Sequence, residues 1–226
     1  MDRLSPNSLI LDAGCGVGRF AVPLLERGHR LALIDVSAWA LERAVKHCLR
    51  TGVGRRRFEA HLRDAHDLSL FPDGAFDATL AIELLCYQRS PTDLLAELVR
   101  VTRPGGWIAI SVEGKHGALL YDPKIDLATA EAMLAGDAPL EVPGDVYVRH
   151  FSRDGLRHLI ESSGLECQTV MGTHYLPDGV LHHLIDPARL GEPTYRRRLL
   201  NLEAACRRLP ELASLARAWL AVGRRP

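Results

Sequence analysis

The segment Leu9-Ile10-Leu11-Asp12-Ala13-Gly14-Cys15-Gly16-Val17-Gly18-Arg19-Phe20 constrains this chain more than any other. Its short apolar run reads as a buried parallel strand, while Val17, Phe20, Ala21, Leu24 and Leu25 fit the inner side of a helix that follows at once. Between them Gly14, Gly16 and Gly18 permit a tight turn and let a ligand approach the backbone with no Cβ in the way. Strand, glycine turn and helix in that order place a ligand near a helix N-terminus.

The same alternation continues downstream. Leu9 to Ala13 is the expected first strand and Gly18 to Arg27 the first helix, closed by Gly28-His29. Arg30 to Ile34 supplies a second strand ending at Asp35, and Ser37 can cap a helix over Ala38 to Arg50. Phe58 to Leu62 reads as a third strand, Phe76 to Leu84 as a fourth, and Pro91 opens a helix through Arg103. Pro104-Gly105-Gly106 turns into a fifth strand, Trp107 to Val112. This repetition implies a mostly parallel sheet with helices on both faces, whose ligands lie beyond the carboxyl ends of the strands. Asp12, Asp35, Asp64 and Glu83 all fall there.

The glycines alone do not choose the ligand, because a G-x-G repeat also opens dinucleotide-binding folds. Asp12 alters the electrostatics: a carboxylate at the strand end repels a pyrophosphate and suits an ammonium or sulfonium charge. Taken together, Asp12-Ala13-Gly14-Cys15-Gly16-x-Gly18 resembles the first motif of the class I S-adenosylmethionine-dependent methyltransferases. The resemblance covers Leu9 to Gly172 plus a final strand. It implies a Rossmann-like α/β fold of seven strands with the last antiparallel, here Ala218 to Gly223 between the fifth strand and a sixth at Leu165 to Gly172. It also implies S-adenosyl-L-methionine as cofactor, with Asp12, Gly14, Cys15 and Gly16 beside its methionine portion and Asp35 on the two ribose hydroxyls. Val36 and Trp39 would border the adenosine, although Trp39 equally suits the core. Asp64 and Ala65 would meet the adenine edge, with His66 beside the base or on the surface. Glu83 faces the reaction crevice, where it could contact the ammonium, orient the substrate or maintain the loop.

The chain has 226 residues and a formal net charge of zero, so one domain with decorations is the economical organisation and no overall electrostatic case for nucleic acid arises. From Arg189 onward nine arginines face three glutamates, a local excess of +6 that reads as a solvated helix or as a surface for an anionic substrate or partner. The five cysteines, Cys15, Cys48, Cys86, Cys167 and Cys206, include no C-x-x-C pair, so neither a disulfide framework nor a structural metal site is expected. With no signal-like segment or membrane-length apolar run, the expected location is the cytoplasm.

Two stretches depart from the strand and helix repeat. Residues 113–148, rich in Gly and Pro with a helix around Leu127 to Leu134, are expected to form a lid insertion, and residues 174–215 a second insertion on the substrate side. Between them Ser152 can cap a helix over Arg153 to Ser163, and Tyr195, Leu199, Leu202, Cys206 and Leu209 mark an amphipathic helix. Only eight residues precede Leu9, so the lid is expected from these insertions or from a second subunit, which leaves a homodimer open.

Methyl transfer needs an acceptor lone pair aligned behind the methyl group, and a base helps when the acceptor is protonated. His116, after the fifth strand between glycines that permit an exposed turn, is the first candidate base or a loop residue; His174 and Tyr175, after the sixth strand, are the next. His150 and the pair His182-His183 are further candidates for substrate contact. Met133, Leu134, Leu140, Phe151 and Tyr175 could line an apolar acceptor pocket or simply anchor the insertions, and Arg149, Arg153 or Arg196-Arg197-Arg198 could hold a carboxylate or phosphate. The expected activity is methylation of an oxygen or nitrogen of a small molecule, such as a specialised metabolite. The alternatives are a non-catalytic cofactor-binding regulatory subunit, an NAD-dependent oxidoreductase, disfavoured by Asp12 and Asp64, and a nucleic-acid methyltransferase, disfavoured by the want of a complete recognition unit.

Overall fold

The first two strands carry the logic of the whole architecture. In β1 (Leu9–Ala13) and β2 (Arg30–Asp35) nearly every side chain is buried, but alternate ones enter different cores. Leu11, Ala13, Ala32 and Ile34 pack on one face, and Ile10, Leu31 and Leu33 on the other, as a period of two requires. A sheet apolar on both faces must be covered on both, and the intervening helices do this. α1 (Ala21–Glu26) and α2 (Ala38–Arg50) cover one face through Leu24, Leu25, Leu41, Ala44 and Cys48. α3 (Pro91–Val101) and a later helix over Arg153–Ser162 cover the other through Leu94, Leu95, Leu98, Leu156 and Ile160.

The computed structural model describes residues 4–136, 139–141 and 147–226, with only the backbone of 139–141. The remaining strands are β3 (Phe58–Leu62), β4 (Phe76–Ile82), β5 (Thr102–Glu113), the short pair β6 (Pro139–Glu141) and β7 (Tyr147–Arg149), then β8 (Glu166–Thr173) and β9 (Ala218–Arg224). Seven of them form one sheet in the order β3-β2-β1-β4-β5-β9-β8. The first five pair parallel, while β9 runs antiparallel between β5 and β8. This is the topology expected from the motif. The chain end is tied beneath the sheet: the Gly105 N–H donates to the Arg225 carbonyl at 2.8 Å and the Arg225 N–H to the Gly106 carbonyl at 3.0 Å. Among the described residues no helix is long and apolar enough to cross a membrane.

Several boundaries shift for identifiable reasons. α2 starts as expected because the Ser37 hydroxyl accepts the Ala40 N–H at 3.2 Å, and the helix over Arg153–Ser162 starts likewise from Ser152 on the Gly155 N–H at 2.9 Å. β4 stops at Ile82 rather than Leu84, since Glu83 turns to φ 55°. The segment after β5 is also different in kind. Gly114 and Gly117 do not make an exposed turn; they belong to the start of α4 (Lys115–Tyr121). Their lack of a side chain serves packing, because a Cβ on Gly114 would lie 2.9 Å from the Ala216 carbonyl oxygen and one on Gly117 would collide with the same atom. α5 (Leu127–Ala135) follows, capped by Asp126, whose carboxylate accepts the Thr129 N–H at 2.8 Å. α6 is the helix over Arg153–Ser162 already described, α7 spans Pro193–Cys206, and the one-turn α8 spans Pro210–Ala213.

Candidate functional site

The turn after β1 is held open by its own backbone. The Cys15 N–H donates to the Ile34 carbonyl at 2.9 Å, which ties the turn to β2, and the Gly18 N–H returns to the Cys15 carbonyl at 2.9 Å. Gly14 (φ 67°) packs so closely that a Cβ would lie 2.9 Å from a Leu84 methyl. Gly16 (φ 53°) is the opposite case: a Cβ there would meet nothing within 4 Å. Its freedom answers to the backbone conformation and leaves the approach to the turn clear. Cys15 is buried, and its thiol is pushed well above the ordinary range, first by burial and then by the nearby Asp12 and Asp35 carboxylates. It therefore serves geometry rather than nucleophilic chemistry.

Two carboxylates flank this turn in different states. Asp12 is 2% exposed and its Oδ2 has no hydrogen-bond partner. Burial, aided by repulsion from Asp35 and opposed by Arg19, raises its pKa to about 7. Asp35 ends β2 with both oxygens engaged: Oδ2 accepts the Gly16 N–H and Oδ1 the Ser37 N–H, each at 2.8 Å. Each of those oxygens keeps a second lone pair for a hydroxyl. Val36 beside it is 70% exposed, and Trp39 is 61% exposed beneath the Arg43 guanidinium, 4.1 Å from its ring centre. Trp39 is thus not a core residue.

At the end of β3 the exposed Asp64 accepts both the backbone N–H and the ring nitrogen of His66 at 2.9 Å, interactions that lower its pKa. Ala65 is buried behind it. A buried acceptor without a partner, an open glycine turn and a two-oxygen carboxylate one strand away fit S-adenosylmethionine: a cation for Asp12 and a ribose diol for Asp35.

Beyond β4, Glu83 and His174 face each other. Both take left-handed backbone conformations that non-glycine residues rarely adopt, with φ 55° and 62°. Such conformations cost ~1–3 kcal/mol each and concentrate at sites where side-chain direction matters. His174 Nδ1 lies 3.8 Å from Glu83 Oε1, and Arg19 reaches the other oxygen at 3.3 Å. This trio sits on a cavity of about 720 Å³ walled by Phe20, Leu176, Ile185, Leu199, Leu200 and Leu220. The wall is built by the turn that leads into α1, by β9, by α7 and by the chain following β8.

The other expected acceptor residues separate. His116 is exposed on α4 and borders neither this cavity nor a second, more polar one of about 830 Å³. Tyr175 is fully buried with Cys206 and Ala216, beneath Gly172, while the Glu203 carboxylate accepts its backbone N–H at 3.2 Å. The supposed apolar pocket does not assemble from the residues first singled out. Phe151 lies in the main core, Met133 is the buried residue of α5, and Leu134 points to solvent; Leu140 lies outside the residues whose side chains are described.

His150 and His182 border the second cavity, which meets the half-buried Glu113–Arg217 ion pair. His150 is almost wholly buried, which lowers its pKa, and its Nδ1 lacks a partner. Arg149 borders a separate surface hollow near α6, and Arg153 is exposed. Of the basic run only Arg196 reaches the apolar cavity. Arg19, Phe20 and Glu203 were missed in the sequence, although the first two directly follow the glycine turn. Among the described residues no cluster of three or more His, Cys, Asp or Glu side chains could hold a metal ion.

The methyltransferase-domain family model matches residues 11–110, which includes the glycine turn, Asp35, Asp64 and Glu83. The chain is 32% identical over 121 residues to the tRNA 5-carboxymethoxyuridine methyltransferase of Escherichia coli strain K12, covering 53% of this chain and 46% of that protein. It thus spans about half the length of that relative. It is 27% identical over 177 residues to a ubiquinone biosynthesis O-methyltransferase of Chromobacterium violaceum, covering 78% and 72% of the two chains. The fold is shared with a S-adenosylmethionine-dependent methyltransferase of Methanosarcina mazei, with TM-score 0.67, 18% identity, and 99% and 95% coverage.

Proposed function

We propose that the chain is a class I S-adenosylmethionine-dependent methyltransferase that methylates an oxygen or nitrogen of a small acceptor held in the apolar cavity beside Glu83 and His174, a reading supported by the methyltransferase-domain match over residues 11–110 and by the shared fold. The observation that carries this reading is the position of that strained pair between the Asp12–Gly18 turn and a cavity of about 720 Å³, a size suited to a small organic molecule.

Bound S-adenosylmethionine supplies an electrophilic methyl group. The protein's part is positioning and proton transfer. Asp12 receives the ammonium and Asp35 the ribose hydroxyls, while Asp64 and Ala65 meet the adenine and Val36 covers the adenosine. Leu199, Leu200, Leu176 and Phe20 exclude water and orient the acceptor, which makes encounter with the methyl group effectively intramolecular. His174 takes the acceptor proton, and Glu83 fixes the imidazole and stabilises it once charged. The segments 113–148 and 174–215 shape the acceptor side; α7, in the second, roofs the cavity.

A transfer-RNA acceptor is the second reading, favoured by the basic residues after Arg189 and by the tRNA methyltransferase relative. The test is Leu199→Trp, which fills the cavity from the α7 side. Methyl transfer to small apolar phenols and amines should fall with S-adenosylhomocysteine affinity unchanged. Full retention of small-molecule transfer in that variant would rule the cavity out as the acceptor site.

A further inference from the structure

The face that α7 turns to the cavity bears Arg196, Leu199, Leu200 and Glu203, with Arg207 at the helix end. These positions recur at helical spacing, so they form one stripe. Two leucines at its centre continue the apolar wall, and a guanidinium stands at each end. Glu203 does not neutralise them directly, because its carboxylate turns onto the backbone N–H groups of Tyr175 and Leu176 at 3.2 and 3.0 Å. Arg196 donates to the Leu190 carbonyl at 3.0 Å and Arg207 approaches the Met171 sulfur at 3.6 Å. Among the described residues neither has a carboxylate partner, unlike Arg19 with Glu83 and Arg189 with Glu192. A guanidinium carries five N–H donors, so most of this capacity is unspent at the rim of an apolar hollow.

We infer that the acceptor is an anionic amphiphile, with its apolar body against Leu199 and Leu200 and a carboxylate or phosphate head group on the guanidinium at one end of the stripe, Arg196 or Arg207. This rests on the methyltransferase reading above and adds the substrate class. The concave shape favours a small molecule over RNA, whose phosphates need an extended basic surface. Arg197 and Arg198 lie exposed on α7 and do not border the cavity, so they provide a charge-matched control.

The experiment is calorimetric titration of the full chain, saturated with S-adenosylhomocysteine, using dodecanoate, dodecyl phosphate and dodecanol. The two anions should bind at least ~10-fold tighter than the alcohol, the ratio expected for a charge-assisted contact of this kind. Arg196→Glu with Arg207→Glu should abolish that preference, whereas Arg197→Glu with Arg198→Glu should retain it. Preference for dodecanoate alone or dodecyl phosphate alone identifies the head group. Equal binding of all three ligands, or a preference that survives the first double variant, overturns the inference. So does tRNA binding that depends on Arg196 and Arg207 without dodecanoate or dodecyl phosphate binding. Tight S-adenosylhomocysteine binding in any of those cases leaves the methyltransferase reading standing, while failure to bind it would count against that reading separately.

Discussion

Replacement of Asp12 by Asn should stabilise the ligand-free protein and weaken its hold on S-adenosylmethionine, with both effects set by pH. Burial and the neighbouring Asp35 raise the Asp12 pKa from 3.8 to about 7. At ~1.4 kcal/mol per pKa unit, holding Asp12 ionised without a cation costs a ceiling of ~4 kcal/mol.

The native protein binds the extra proton between the unfolded and folded pKa values, so the contribution of Asp12 to stability falls as pH rises from about 4 to about 7. The Asn variant is spared that loss. Its melting temperature relative to the parent should therefore rise across this window and level off above it, by up to ~8–16 °C for a domain of this size. A ligand ammonium restores the balance by favouring ionised Asp12, so cofactor affinity in the parent should rise with pH up to about 7. The variant should bind at least ~10-fold more weakly, as expected for a lost charge-assisted contact, and lose that pH dependence. Scanning calorimetry and cofactor titration from pH 5 to 8 read both. A melting-temperature difference that stays constant with pH, or unchanged affinity in the variant, would refute the reasoning.

Asp35→Ala removes the acceptor of the Gly16 and Ser37 N–H groups and should weaken S-adenosylmethionine binding more than it lowers stability, for which ~1–2 kcal/mol is expected; equilibrium binding and urea unfolding separate the two. His174→Ala should lower kcat by ~10²–10⁴-fold while leaving S-adenosylhomocysteine affinity intact, whereas His116→Ala should leave kcat unchanged. Gly117→Ala forces a methyl group against the Ala216 carbonyl and should destabilise the fold by ~1–3 kcal/mol, visible as a lower urea midpoint with an unchanged slope.

The glycine turn and the carboxylates that flank it are legible in the sequence because their determinants are local. A strand buried on both faces can run little beyond its apolar stretch, so Asp12 and Asp35 fall in the last residues of β1 and β2, at the carboxyl ends of the strands. Ser37 and Ser152 mark their helix starts for the same reason. The cavity beside Glu83 and His174 depends on tertiary packing. Glu83 and His174 meet only because β4 and β8 bring remote segments to one end of the sheet, and their left-handed backbone has no glycine to announce it. Gly114 and Gly117 look like turn residues until Ala216 is seen lying against them. The apolar stripe of α7 equally suits a helix resting on the core, and only its placement reveals that Leu199 and Leu200 border open space.

The protein is expected to transfer a methyl group to a small acceptor. Incubation with S-adenosylmethionine carrying a deuterated methyl group, offered together with apolar phenols, amines, aliphatic and aromatic carboxylates and bulk tRNA, with mass analysis of every fraction, tests it most directly. The label is expected on an oxygen or nitrogen of a small acceptor with an apolar body, and its loss is expected in His174→Ala. Label confined to tRNA, or cofactor bound with no transfer to any acceptor, would contradict it.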